Sequence, residues 1–409
     1  MSGEQHILAN GLTVAADPLV GAESVAIGLY ASVGSRSEPV VLSGLAHLVE
    51  HMVFKGAGGR DTRALAEVIE DVGGSLNAWT ARDQTVFHGR ALARDFELVA
   101  ELIADLVRAP HFDEEHLERE KQVILSELGE SLDAPDELVH DHLFEAAFDR
   151  QAIGRPVLGC EKTVRAVKRK DCFDWLGKQF VPPRLVLAAS GKVRPEDVLK
   201  LAERLFGDME VCDVPAIEAA HFTGGVRNDR RNFEQAHWCI AFPGHRASDP
   251  RNPALALFVQ ALGGGTSSRL FQELREERGL AYSIYAWNQA FADTGLVGIG
   301  CAAERPRAAE SVQLAREVLT ATAESLSEAE LNRARAQVEA GLLMGLETAQ
   351  GRADQMARSI EIFGRILSLD ELVGQIRAVT LGDAREAGQA LLGGPVAVAS
   401  VGAKLALAA

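Results

Sequence analysis

The sequence predicts an α+β fold in which one domain is present twice. Three observations predict it. Period-2 apolar alternation and helical periodicity are interleaved along both halves. The order of these patterns in the first half recurs in the second at nearly one offset. Hydrophobic residues at 47% and charged residues at 24% of 409 positions are ordinary globular usage, with length for two or three domains.

Each element follows from local pattern. Val25, Ile27, Leu29 and Val33 alternate onto one face, which predicts a half-buried strand over 25–33. A turn follows at 34–39. Leu45, Leu48, Val49 and Met52 recur at helical spacing within a helix over 43–55. Asp61 can cap a second helix over 62–72, which stops at Gly73 and Gly74. Strands over 75–80 and 85–92 come next, then helices over 94–107 and 113–131. A strand over 185–190 and a helix over 195–205 close the first half.

The repeat rests on three matches in the same order. Residues 45–52 align with 255–262. Upstream, Val33-Gly34 with Arg36 and Pro39 matches Pro243-Gly244 with Arg246 and Pro250. Downstream, Leu117-Glu118-Arg119 matches Leu331-Asn332-Arg333. The stretch 207–231, with Pro215, Gly224-Gly225 and mixed polarity, reads as the linker. The expected domains are 1–215, catalytic, and 225–409, homologous but without metal residues.

Charge and composition exclude several functions. A net charge of −16 and 6% aromatics argue against nucleic acid, which needs a basic face and stacking platforms. No run of about 18 apolar residues predicts a membrane span. The start has no basic flank and leads into no apolar core, so the expected location is cytoplasmic. Cys160, Cys172, Cys212, Cys239 and Cys301 are scattered, which suggests free, mostly buried thiols.

The two copies differ in their polar chemistry. His47, Glu50 and His51 stand opposite Leu257, Gln260 and Ala261, and Glu120 and Glu127 opposite Ala334 and Gly341. His47 and His51 are one helical turn apart, so both imidazoles share a face, as two ligands of one metal require. Glu50 stands beside them, where a carboxylate can take a proton from an activated water. A third ligand is needed. Glu120 and Glu127 share a face of the helix over 113–131, near Val123, Ile124 and Leu128, and spacing does not choose between them.

His47-Leu48-Val49-Glu50-His51 followed by Glu127 resembles the inverted zinc-peptidase motif of the pitrilysin/insulinase family, the inverzincins. The resemblance extends through Asn77-Ala78-Trp79-Thr80, through the run from Gly263 to Phe271, and on to Arg275 and Tyr282-Ser283. Size and order are similar to the short, two-domain branch that includes mitochondrial processing peptidase subunits and their bacterial relatives. The resemblance implies two homologous α/β-sandwich domains, each a mainly antiparallel sheet with helices packed on it. It implies one Zn2+ per chain on His47, His51 and Glu127, with Glu50 as general base and Glu120 orienting a ligand. It implies a substrate-binding edge strand at Asn77, Ala78, Trp79 and Thr80. Arg275 and Tyr282 would reach an active site from the non-catalytic domain. Ala57 stands where threonine is common, and Trp79 departs from the usual Tyr, Phe or Ser, which bears on subsite preference.

The function expected is a zinc endopeptidase that cleaves peptides or unfolded protein segments inside a homodimeric clamshell. The rivals are a non-catalytic structural subunit of the same fold, and one half of a heterodimeric peptidase. The glycines at 263–265 follow a helix and lack a phosphate-loop pattern, so they read as a closely packed turn. His140 and His142 would splay on a helix and read as solvated.

Overall fold

The computed structural model describes residues 3–211 and 213–405. Its strands run β1 (Glu4–Ile7), β2 (Thr13–Pro18), β3 (Ser24–Ala31), β4 (Gly56–Ala57), β5 (Arg60–Asp61), β6 (Ser75–Thr80), β7 (Thr85–Leu92) and β8 (Leu185–Gly191) in the first half. The second half holds β9 (Gly225–Asp229), β10 (Gln235–Pro243), β11 (Ala281–Ala290), β12 (Gly295–Glu304) and β13 (Ala397–Val401). The first-half helices are α1 (Leu45–Val53), α2 (Thr62–Glu70), α3 (Phe96–Arg108), α4 (Glu114–Asp133), α5 (Pro135–Ala147), α6 (Glu161–Ala166), α7 (Arg169–Gln179) and α8 (Pro195–Phe206). The second-half helices are α9 (Asn252–Gly263), α10 (Ala308–Ser325), α11 (Glu328–Gly345), α12 (Ala349–Phe363), α13 (Leu369–Ala378) and α14 (Leu381–Leu392).

The sheets carry the duplication. The first has the order β1-β2-β8-β3-β7-β6 and the second β11-β12-β10-β13-β9. Read from β6 and from β11, the two orders correspond strand for strand, with β1 as an addition. Pairing is antiparallel throughout except for β2 with β8 and β9 with β13, which are parallel in both copies. Each sheet has helices packed on it, so both domains are mainly antiparallel α/β sandwiches.

The chain forms two compact units, and their membership is interleaved. Unit 1 comprises 1–128, 156–218 and 343–369; unit 2 comprises 129–155, 219–342 and 370–409. In unit 1, Val25, Ile27 and Leu29 pack with Leu102, Ile103, Leu106 and Leu201 from α3 and α8. The opposite face buries Ala15, Tyr30, Val186 and Ala188 against Ala353, Met356 and Ile360 of α12. In unit 2, Trp238 and Ile240 face Leu255, Phe258 and Leu319, while Cys239 and Ala241 pack with Leu138 and Phe144 of α5. Each sheet therefore has one cover helix that comes from the other half of the sequence.

This exchange corrects two expectations. β3 is buried along nearly its whole length rather than half-buried, because α12 covers its second face. His140 and His142 are half-buried rather than solvated, because α5 packs on β13, β10 and β9. His140 Nε2 lies 2.8 Å from the Tyr285 hydroxyl, and His142 pairs with Glu145 and Asp229. The linker stretch also contains β9, whose polar sequence Gly-Val-Arg-Asn-Asp hid an edge strand that pairs with β13. Cys172, Cys239 and Cys301 are buried free thiols and Cys160 is exposed; Cys212 lies outside the described residues.

Candidate metal centre

α1 forms because Leu45, Ala46, Leu48, Val49, Met52 and Val53 bury one broad face. His47, Glu50 and His51 are left on the other. The helix starts at Gly44, whose φ of 95° is left-handed and whose missing Cβ would sit 2.6 Å from the Leu158 carbonyl oxygen. Buried Glu38 caps this end: its carboxylate accepts from Gly44 N at 2.8 Å and Ala46 N at 2.7 Å. An anion there also complements the helix dipole. α4 supplies the two remaining carboxylates. It buries Leu117, Glu120, Lys121 and Ile124, whereas Val123 is exposed and not the apolar neighbour expected.

The ligand atoms of His47, His51 and Glu127 all lie within 4.8 Å of one another. Glu127 Oε2 stands 4.0 Å from His47 Nε2 and 3.8 Å from His51 Nε2. Tetrahedral ligands at zinc–nitrogen distances are about 3.3 Å apart, so small side-chain movements suffice to close on an ion. Glu120 occupies a different place. Its Oε2 lies 3.2 Å from His51 Nδ1 and its Oε1 lies 2.9 Å from Lys55 Nζ. With its Nδ1–H donated to Glu120, His51 presents the Nε2 lone pair toward Glu127. Two imidazoles and one carboxylate are the donor set that suits zinc, so the residues fit such an ion.

Electrostatics point the same way. Burial, helped by the neighbouring His51, lowers the His47 pKa to about 4, so the imidazole is neutral and able to ligate. Burial raises the Glu50 carboxyl; Thr80 and His51 oppose that rise and Glu127 adds to it. Glu50 Oε2, Thr80 Oγ1 and His47 Nδ1 are buried, with Thr80 close enough to Glu50 to hold its carboxyl down.

The other expected site residues fall in two places. α1 packs against β6, the edge of the first sheet, so Asn77, Ala78, Trp79 and Thr80 lie on the strand next to the metal helix. Ala78 is buried, Trp79 is exposed, and the Asn77 side chain accepts from Ala78 N at 2.9 Å. Arg275 and Tyr282 belong to unit 2. Arg275 sits on a widened, π-type turn over Phe271–Glu277, its guanidinium 4.9 Å from the Phe271 ring. Tyr282 is the extra residue of a β-bulge, since Ala281 pairs with Ala303 and Ser283 with Ala302. The bulge turns its side chain outward, and 72% of the residue is exposed. Sequence reasoning passed over Lys55 and Glu38. Lys55 had a signal, four residues after His51; Glu38 had none, because its capping role depends on a loop.

A duplicated α/β sandwich with an inverted His-x-x-Glu-His helix in its first copy defines a class, and comparison places the chain within it. Residues 13–161 match the family described as insulinase (peptidase family M16), and residues 166–338 match the peptidase M16 inactive domain. The chain belongs to this family. It is 33% identical over 396 residues to an "uncharacterized zinc protease" of Streptomyces coelicolor, covering 94% of this chain and 86% of that one. A protein of the same description from Rickettsia bellii is 32% identical over 377 residues, 92% of each chain. Among solved structures, a protease from Helicobacter pylori has a TM-score of 0.91 at 20% identity, covering 98% of this chain and 99% of that one. A peptidase M16 inactive domain from Pseudomonas fluorescens has a TM-score of 0.90 at 21% identity, covering 99% of both. At such identities these two establish the fold. No described helix is long and apolar enough to cross a membrane.

Proposed function

We propose that this chain is a zinc-dependent endopeptidase that hydrolyses peptides or unfolded segments, with one Zn2+ per chain on His47, His51 and Glu127. The observation that carries the reading is the convergence of these three side chains, with Glu50 beside them, next to an edge strand. Their relatives' description as zinc proteases agrees with it. Zinc, when bound, supplies Lewis-acid activation of water and of a scissile carbonyl. Glu50 takes the proton of the attacking water and hands it to the leaving amine. Its carboxyl, raised by burial and close to Thr80, suits that exchange. A substrate strand adds to β6 through main-chain hydrogen bonds, and the small Ala78 lets it approach closely. Asn77 releases the Ala78 N–H when the strand arrives, Trp79 lines a side-chain subsite, and Thr80 flanks Glu50.

Tyr282 donates to the oxyanion of the tetrahedral intermediate and Arg275 positions substrate, both from a partner chain of a homodimeric clamshell. The exposure of Tyr282 on its bulge supports an outward-reaching role. An intact metal set weighs against a purely structural subunit, and the presence of both Arg275 and Tyr282 weighs against one half of a heterodimer. The test is metal content and turnover of quenched peptides. Stoichiometric zinc, activity lost on chelation and activity restored by zinc are expected. A purified chain that takes up no zinc overturns the reading.

A further inference from the structure

The Glu120 carboxylate has both oxygens engaged by different partners. Oε2 meets His51 Nδ1 at 3.2 Å, and Oε1 meets Lys55 Nζ at 2.9 Å. The residue is 7% exposed. One contact alone leaves a carboxylate free to swing about its terminal torsion; two on opposite oxygens define its plane. We propose that Lys55 is a positioning residue for the metal centre, which holds Glu120 in the rotation that orients His51. This inference rests on the zinc reading above and extends it to a residue one turn beyond the ligands.

The backbone around Lys55 is built to hold it there. Lys55 follows the last turn of α1, where its N–H donates to the Met52 carbonyl at 3.1 Å. Gly56 comes next with a φ of 140°, a left-handed-side conformation that favours glycine. A Cβ on Gly56 would stand 2.5 Å from His111 Nδ1. His111 N in turn donates to the Gly56 carbonyl at 2.9 Å. The chain therefore leaves the helix at a fixed angle, and the ammonium group lies over α4. Lys55 thereby ties the end of the metal helix to the helix that carries Glu127. A surface ion pair is worth little because water screens it. Here the acidic partner is buried, so screening is weaker and the geometry is better kept.

Lys55→Met tests this by zinc affinity, measured in competition with a chromophoric chelator, and by the visible spectrum of the cobalt-substituted protein. Loss of Glu120, the direct outer partner of His51, costs about 10–100-fold in metal affinity; Lys55 acts one contact further out, so a smaller loss, up to about 10-fold, is expected with an altered cobalt spectrum. The melting temperature of the metal-free chain should fall modestly, since buried Glu120 loses one of its two partners, and the loss of zinc affinity comes in addition. Lys55→Arg, which keeps charge and donor, should restore most of the affinity. Lys55→Ala takes the place of the methionine variant if that chain does not fold. Wild-type affinity and spectrum in the Lys55→Met chain would overturn the inference while the zinc reading stands. A fall in metal-free melting temperature with unchanged affinity would make Lys55 merely structural and overturn it too. Wild-type protein that binds no zinc removes both.

Discussion

Glu50 and the two α4 carboxylates show how position sets the work of chemically equal side chains. Glu50 carries a buried oxygen and a carboxyl raised by burial, with Thr80 opposing that rise, which suits proton transfer. Glu50→Gln should keep zinc and lose turnover by about 10²–10⁴-fold, the usual contribution of a positioned acid–base group. Zinc quantified alongside peptide cleavage checks this, and loss of the metal would show Glu50 to be a ligand. Glu127 approaches the Nε2 atoms of both histidines, whereas Glu120 faces the far nitrogen of His51 and Lys55. Glu127→Gln should therefore reduce zinc content more than Glu120→Gln, whose cost is about 10–100-fold in affinity or activity. Titration of both variants with zinc gives the ranking, and the reverse order would exchange the two roles.

At the scale of elements, the cover helices decide how the sheets are finished. α12 meets the first sheet with polar as well as apolar groups. The Tyr30 hydroxyl donates to Asp354 at 2.5 Å, Arg352 pairs with fully buried Asp17 at 2.9 Å, and Glu361 accepts from Ser32 and Gln84. Such directional contacts choose one placement of the helix where apolar packing alone would tolerate several. Tyr30→Phe removes a buried hydrogen bond to a charged group and should cost about 1.5–3 kcal/mol. Urea unfolding measures it, and an unchanged midpoint would mean that Asp354 is satisfied without the hydroxyl. The bulge in β11 is the counterpart in unit 2. A regular pairing would give Tyr282 a partner on β12, and the extra residue frees it instead.

At the scale of the molecule, the residues proposed to hold zinc lie in unit 1, and Arg275 and Tyr282 lie in unit 2. The proposed mechanism needs both sets, and a complementation experiment asks which chain supplies each. Tyr282→Phe should lower turnover by about 10²–10³-fold, as for loss of one oxyanion donor, with zinc content and melting temperature unchanged. If the tyrosine acts across a homodimer, Glu50→Gln and Tyr282→Phe chains mixed under subunit exchange should recover activity. A mixed dimer then has one site with intact Glu50 and intact Tyr282. Exchange without recovery would place both groups in one chain's site, and a fully active Tyr282→Phe enzyme would remove the phenol from the mechanism.

Much of this was legible in the sequence because it is local. Strands at 75–80 and 85–92 carry their own alternation, and they match β6 and β7 residue for residue. Asp61 caps α2 as its place before a helical run foretold, accepting from Ala64 N. The spacing of His47 and His51 puts two imidazoles on one face whatever surrounds them, and the absence of those residues from the second copy was readable by alignment. Other features needed the tertiary structure because they join residues far apart in the chain. Glu120 and Glu127 share one helical face, so periodicity could not separate them; their distances to α1 do. The burial of β3 on both faces follows from α12, more than 300 residues on, and the pairing of His142 with Asp229 from β9. The Lys55–Glu120 pair and the Glu38 cap depend on where a helix end and a loop come to rest. Periodicity records how one element meets water. Contacts between distant elements leave no such trace in a single chain, and only folding brings them together.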